Sequence, residues 1–159
     1  MALLAFNDFF QRRFEKGERF LGCDVGEKTI GLALSDVNRT IASPFMVIHR
    51  TQWKQDGKTL LKTISDYRIG GVVVGLPLNM DGSEGPRCQS VRQFIANLLA
   101  LLDIPICLWD ERLSTVAVTR TLLEADVSRA KRSKVVDKMA AAYILQGFLD
   151  ASLSQKKFC

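Results

Sequence analysis

The sequence predicts an α/β protein in which a mixed central sheet carries helices on both faces. Two apolar runs joined by a tight turn, FLGCDVG and IGLALSD, predict that the sheet opens as an antiparallel hairpin. Later apolar runs alternate with stretches of helical periodicity, the pattern of strands added through helical crossovers. Two of those runs, GVVVGL and IPICLWD, are apolar almost without interruption, as central strands covered on both sides are.

Taken in order, residues 1–18 precede the first strong strand. There Phe6, Phe9, Phe10 and Phe14 fall at near-helical spacing, which predicts a short amphipathic helix in an N-terminal extension without chemistry of its own. The hairpin begins at Arg19 and turns around Gly26, Glu27 and Lys28. A third strand is expected near Ala42 to His49, with Pro44 close to its start, where a missing backbone donor is tolerated. Thr51 to Arg68 reads as a helix with Leu60, Leu61 and Ile64 on one side and Gly57 weakening its first turns. After GVVVGL, the stretch PLNMDGSEGPR has the turn residues of an exposed loop, shaped by Gly82, Gly85 and Pro86. The next helix places Val91, Phe94, Ile95, Leu98 and Leu102 along one stripe. IPICLWD gives another buried strand. Helices are then expected from about Ser114 to Ala125 and from about Lys134 to Asp150.

The 159 residues, 47% of them hydrophobic, suit one domain over residues 19–152 with a tail at 153–159. A net charge of +5 and a pI near 9.2 tilt the partner toward a polyanion. Cys23, Cys88, Cys107 and Cys159 show neither a CxxC pair nor zinc spacing, and read as reduced packing residues. No apolar run would span a bilayer and the first residues lack a signal-peptide core, so no membrane partner and a cytoplasmic location are expected. With His49 as the single histidine, at a strand end, a Ser/His/Asp or Cys/His mechanism has little to stand on.

Carboxylates carry the chemistry instead. A carboxylate set among apolar residues is costly without a basic partner, a proton or a metal. Asp24 lies inside the first hairpin strand between Cys23 and Val25, where both strand propensity and burial disfavour it. Its bland alternative is to accept N–H bonds from the glycine turn. Asp110 and Glu111 sit at the C-terminal end of a buried strand, where ligand sites of open α/β sheets collect. Side chains alternate across a strand, so Ile104, Ile106, Leu108 and Asp110 share one face while Cys107, Trp109 and Glu111 share the other. Only one of the two acids can therefore point toward Asp24, and the other is expected to pair with Arg112. Asp137 precedes Ala140, Ala141, Ile144 and Phe148 at helical spacing and so faces inward. If its helix starts at Ser133, capping and metal binding are hard to separate. Three oxygen ligands without His or Cys suit a pair of Mg²⁺ or Mn²⁺ ions for phosphodiester hydrolysis.

Four ordered segments, GCDVGEKTIGLALSD, VVVGLPLNMDGSEGPR, DERLSTVAV and DKMAAAYILQGFLD, resemble the YqgF or RuvX-like family. These are bacterial proteins assigned as pre-16S rRNA nucleases, with an RNase H-like fold related to Holliday junction resolvases. The resemblance runs from about Arg19 to Asp150. It implies Asp24, Glu111 and Asp137 as the acidic site, with Asp110 as the alternative to Glu111, and a role in maturing the 5′ end of 16S rRNA.

Phosphate contacts are expected from Lys28 in the hairpin turn, Arg87 at a helix start, Arg112 beside the acidic pair, and Arg129, Lys131, Arg132 and Lys134 in a loop before the Asp137 helix. The partners that follow are precursor 16S rRNA within ribosomal particles or, on the same metals, branched DNA, with the chain a monomer or homodimer. Junction resolution would favour a symmetric dimer, since two opposed cuts need two sites. A non-catalytic RNA-binding assembly factor would keep the fold without turnover. Nucleotide binding, suggested by a likeness of DVGEKTIGLALSD to the phosphate hairpin of actin-like ATPases, ranks last because no second such hairpin is present.

Overall fold

The computed structural model describes the backbone at residues 3–113 and 129–157, and the side chains there except at 7, 10, 113, 129–138 and 154–157. The strands are β1 (Leu3–Leu4), β2 (Arg19–Val25), β3 (Thr29–Ser35), β4 (Ala42–His49), β5 (Ile69–Leu76) and β6 (Ile106–Asp110). The helices are α1 (Phe6–Gln11), α2 (Trp53–Asp66), α3 (Pro86–Leu101) and α4 (Arg129–Lys157). The sheet order is β1-β6-β5-β2-β3-β4. β2, β3 and β4 pair antiparallel as the meander predicts, while β5, β6 and β1 add parallel. Parallel addition brings the C-terminal ends of β2, β5 and β6 to one edge of the sheet.

Alternation along each strand divides the core in two. Leu21, Cys23, Val25, Ile30, Leu32, Val72, Val74, Leu76 and Ile106 face α2 and α3, which contribute Leu60, Ile64, Val91, Phe94, Ile95 and Leu98. On the opposite face Phe20, Ala33, Val73, Cys107 and Trp109 meet α1 and α4. Close approach of α4 depends on missing side chains. A methyl at Gly22 would lie 2.8 Å from Leu145 Cβ and 3.0 Å from the Ala141 carbonyl, and one at Gly75 would lie 2.5 Å from Ile144 Cδ1. The alanine run Ala140–Ala142 completes this tight contact.

The N-terminal segment is woven into this architecture. β1 pairs in parallel with β6, Leu3 opposite Ile106 and Leu4 opposite Cys107. Phe9 of α1 is fully buried against Phe14, Phe20 and Phe148, all with ring centroids 5.3 Å away. The helix expected at 114–125 lies outside the described residues.

One expectation is corrected at the last helix. It begins at Arg129 rather than near Lys134, so the run RAKRSK is helical and not a loop. Arg, Ala and Lys are strong helix formers, and they carry the helix through Ser133, which had read as a cap. Position 137 is consequently the ninth residue of α4, too deep for the capping role weighed against metal binding.

Candidate active site

Asp24 lies near the end of β2, on the face opposite Cys23 and Val25 and therefore on the α4 side, with 4% exposure. Glu111 follows β6 as the first residue of a single 3-10 turn, Glu111–Leu113, and is 8% exposed. It shares the α4 side. A methyl built on Gly75 would sit 3.1 Å from Glu111 Oε1, so the glutamate reaches over β5 at the point where that strand has no side chain. Because Cys23 pairs with Val74, Asp24 stands beside Gly75 on the other flank. The Glu111 carboxylate thus reaches a bare strand position that the Asp24 backbone flanks on its other side.

Asp110 takes the other face. The Arg112 guanidinium holds it in a two-pronged grip, with Nη2 to Oδ2 at 2.7 Å and Nε 3.1 Å from each oxygen, and the Arg112 N–H adds a bond of 2.9 Å. Those bonds from the Arg112 side chain keep the Asp110 carboxyl below its ordinary range and raise the guanidinium in turn. The acid left over at the strand end pairs with Arg112, as alternation predicts.

The third acid is placed by its backbone alone. Along β2, Phe20 meets Phe148 edge to face and Gly22 abuts Leu145 and Ala141, so α4 runs antiparallel to the strand. One further turn toward the helix N-terminus brings position 137 alongside Asp24, since a turn of helix rises about 5.4 Å and two strand residues about 6.6 Å. The Asp137 side chain lies outside the described residues. Among those described, no group of three His, Cys, Asp or Glu residues is assembled.

This donor set fits hard divalent cations. Asp24 and Glu111 offer oxygen only. The nearest sulfur, Cys23, is turned to the other face, and burial followed by the Asp24 charge pushes its thiol pKa far up, so it stays a thiol.

Cationic side chains reach the site unequally. The Arg87 Nη2 lies 3.9 Å from Asp24 Oδ1 and donates to the Val25 carbonyl at 3.4 Å, leaving half of the side chain exposed. It borders a groove of about 290 Å³ with Val25, Gly26, Glu27, Pro86 and Ser90. Lys28 is exposed in the hairpin turn. That turn is braced by Arg50, whose Nη1 donates to the Gly26 carbonyl at 2.8 Å and whose N–H donates to the Lys28 carbonyl at 2.8 Å. Arg112 is engaged by Asp110 and by the Met80 carbonyl, 3.2 Å from Nη1. The side chains of Arg129, Lys131, Arg132 and Lys134 lie outside the described residues. Sequence reading missed Gly75 and Arg50. A glycine interrupting a run of valines was the available signal for Gly75, whereas a bond from Arg50 back to Gly26 leaves no local trace.

The sequence model of one family, described as "RuvX: Holliday junction resolvase", matches residues 18–151. The chain belongs to the RuvX family. Among RuvX relatives, a protein of Paramagnetospirillum magneticum named "Putative pre-16S rRNA nuclease" is 66% identical over 135 residues, covering 85% of this chain and 87% of its own. A Zymomonas mobilis protein of the same name is 56% identical over 142 residues, 89% of this chain and 86% of the relative. Solved structures confirm the RNase H-like fold. Thermus thermophilus RuvC in complex with a Holliday junction substrate aligns with TM-score 0.55 at 14% identity, over 88% of this chain and 96% of that one. The yeast mitochondrial Holliday junction resolvase Ydc2 aligns with TM-score 0.53 at 15% identity, over 97% and 90%. The RuvX match begins at residue 18, just before β2, so β1 and α1 lie outside it.

Proposed function

We propose that this protein is a metal-dependent nuclease that hydrolyses phosphodiester bonds and acts in the cytoplasm to mature the 5′ end of precursor 16S rRNA. The observation that carries the reading is that buried Asp24 and Glu111 lie on one face at neighbouring strand ends, on either flank of Gly75, while Asp110 is turned to the other face and held by Arg112. Oxygen-only donors set together at one end of the sheet are the ligands that hard divalent cations take. The names of the RuvX relatives supply the substrate class.

Asp24, Glu111 and Asp137 would hold two Mg²⁺ or Mn²⁺ ions, which when bound supply Lewis acidity and a water of lowered pKa. The chain's own residues do the remaining work. The strand ends fix the direction of both carboxylates, and burial keeps bulk water from competing for them. Arg87, half-exposed beside Asp24, meets the phosphate at the reacting end. Lys28 and the basic start of α4 neutralise neighbouring phosphates and position the strand without reading sequence.

The test is Mg²⁺- or Mn²⁺-dependent cleavage of a precursor 16S rRNA 5′ fragment by wild type and Asp24→Asn, with a four-way DNA junction as competitor. Wild type alone is expected to cut the RNA, while the variant keeps most of its RNA affinity. Equal cleavage by both would end the Asp24 assignment. RNA binding without turnover in either would instead favour a non-catalytic assembly factor. A second reading, junction resolution, is favoured by the description attached to the RuvX family. It predicts cutting of the DNA junction by a symmetric dimer.

A further inference from the structure

We propose that Glu27 accepts a hydrogen bond from the ribose 2′-hydroxyl of a nucleotide beside the scissile phosphate and so separates RNA from DNA. The inference rests on the nuclease reading above and adds which sugar the site takes. Glu27 stands at the tip of the β2–β3 hairpin and lines the groove of about 290 Å³ that Arg87 borders. That volume matches the smallest pockets in which proteins hold small molecules, about 300 Å³.

The groove has two walls. Val25, Gly26 and Glu27 form one, and Pro86, Arg87 and Ser90, at the start of α3, form the other. Main-chain groups of the first wall are already bonded. The Gly26 N–H donates to the Thr29 carbonyl at 2.8 Å, the Gly26 carbonyl accepts from Arg50 Nη1 at 2.8 Å, and the Val25 carbonyl accepts from Arg87 Nη2 at 3.4 Å. The Arg50 N–H also donates to the Lys28 carbonyl at 2.8 Å, so the turn that carries Glu27 is braced on both sides of it.

Recognition therefore falls to three side chains: the Glu27 carboxylate, the Ser90 hydroxyl and the outer half of Arg87. Glu27 and Ser90 are exposed, and neither makes a side-chain hydrogen bond or ion pair among the described residues. Arg87 and Ser90 are three residues apart and share one face of α3.

Charge and chemistry assign the partners. Arg87, 3.9 Å from Asp24, marks the phosphate end of the groove. Glu27 is the one acid among the lining residues, with Lys28 next in the turn and Arg50 behind Gly26 as its cationic neighbours. An ionised carboxylate only accepts hydrogen bonds and repels phosphate, so its ligand is a neutral donor. In RNA the donor closest to a phosphate is the 2′-hydroxyl, on the carbon next to the one bearing the 3′-phosphate, and DNA has no group there. Carboxylates take ribose hydroxyls in this way in dinucleotide-binding folds. The 2′-hydroxyl is an acceptor as well, which suits the Ser90 hydroxyl as donor.

The experiment uses the full chain and a precursor 16S rRNA 5′ fragment, either all-ribose or carrying one 2′-deoxynucleotide within about two nucleotides of the cleavage point. A matching set changes the base at those positions and keeps the ribose. Affinity is measured without divalent metal, and cleavage in the same samples after Mg²⁺ is added. Wild type is expected to bind the all-ribose fragment about tenfold more tightly than the copy that is deoxy at one of these positions, the loss of one hydrogen bond to a charged group. Glu27→Ala should bring that ratio close to one, and Glu27→Gln should leave about threefold, because its amide oxygen still accepts. Removing an acid also raises affinity for any polyanion, so the ratio is the readout. A wild-type ratio near one at every position, or a wild-type ratio that persists in Glu27→Ala, overturns the sugar contact, and does so alone if the RNA is still cut. A Glu27-dependent penalty that follows the base and not the sugar also overturns it, in favour of a base amino group. A ratio abolished by Glu27→Ala, in a wild-type protein that binds RNA but does not cut, supports the sugar contact and sinks the nuclease reading.

Discussion

Replacing Gly75 by alanine tests the packing of α4 and the placement of Glu111 in one step. The added methyl would meet Ile144 Cδ1 at 2.5 Å, Ile144 Cγ1 at 3.1 Å and Glu111 Oε1 at 3.1 Å. Ile144 is fully buried, so its side chain cannot swing into solvent. Overpacking of this kind costs about 1–3 kcal/mol. Alanine restricts the unfolded chain and returns about 0.4–1 kcal/mol. A net loss of about 1–2 kcal/mol follows, which for a chain of this length lowers Tm by about 2–8 °C. The assay is urea denaturation at constant m-value, alone and combined with Ile144→Val, which removes the atom that clashes first. Ile144→Val by itself should cost about 0.5–1.5 kcal/mol. The double variant should be more stable than the sum of the two changes by about 1 kcal/mol, the signature of a shared contact. Cleavage should stay low in the double variant, because the methyl still presses on Glu111. Wild-type stability in Gly75→Ala, or strict additivity with Ile144→Val, would refute this account of the site.

Other consequences can be checked singly. Phe9→Ala should cost about 3–5 kcal/mol in urea denaturation, because the ring is fully buried among three other phenylalanines although it lies outside the RuvX match. The Asp110–Arg112 pair lends stability that is fully present above the ordinary carboxylate pKa of about 4 and is lost as pH falls through the depressed folded value. The stability difference between wild type and Asp110→Asn should therefore be flat near neutral pH and shrink in acid, and a difference that grew in acid would reverse the sign. Burial pushes the Cys107 thiol up to about 12, and Cys23 is also fully buried, so both should resist a thiol reagent at pH 8 until the protein is unfolded. Rapid labelling of either in the native state would contradict that burial.

Much of this was legible in sequence wherever the signal was local. The meander, the two buried parallel strands and the Val91–Leu98 stripe follow from spacing alone. Alternation along IPICLWDE separated Asp110 from Glu111 correctly onto the two faces, because β6 stays regular up to the 3-10 turn. What was missed is non-local. Nothing in Leu3–Leu4 announces a strand, since its partner lies a hundred residues away at Ile106 and Cys107. The start of α4 was misjudged because Ser133 carries a capping side chain, whereas the surrounding Arg, Ala and Lys favour continuation. Arg112 had read as a phosphate ligand by charge. Its bond to a carbonyl 32 residues earlier has no sequence signature.

The two borders of the sheet have a further consequence. One is a strand of only two residues, and the other, β4, carries Pro44 and an extra residue in its pairing opposite Leu32 and Ala33. Both are poor templates for another polypeptide to lie against, since one is too short and the other lacks a donor and kinks. Copies of this chain that meet at high concentration in a growing cell are thereby steered away from stacking into continuous ribbons. Lasting self-association would have to be built from helix surfaces and loops.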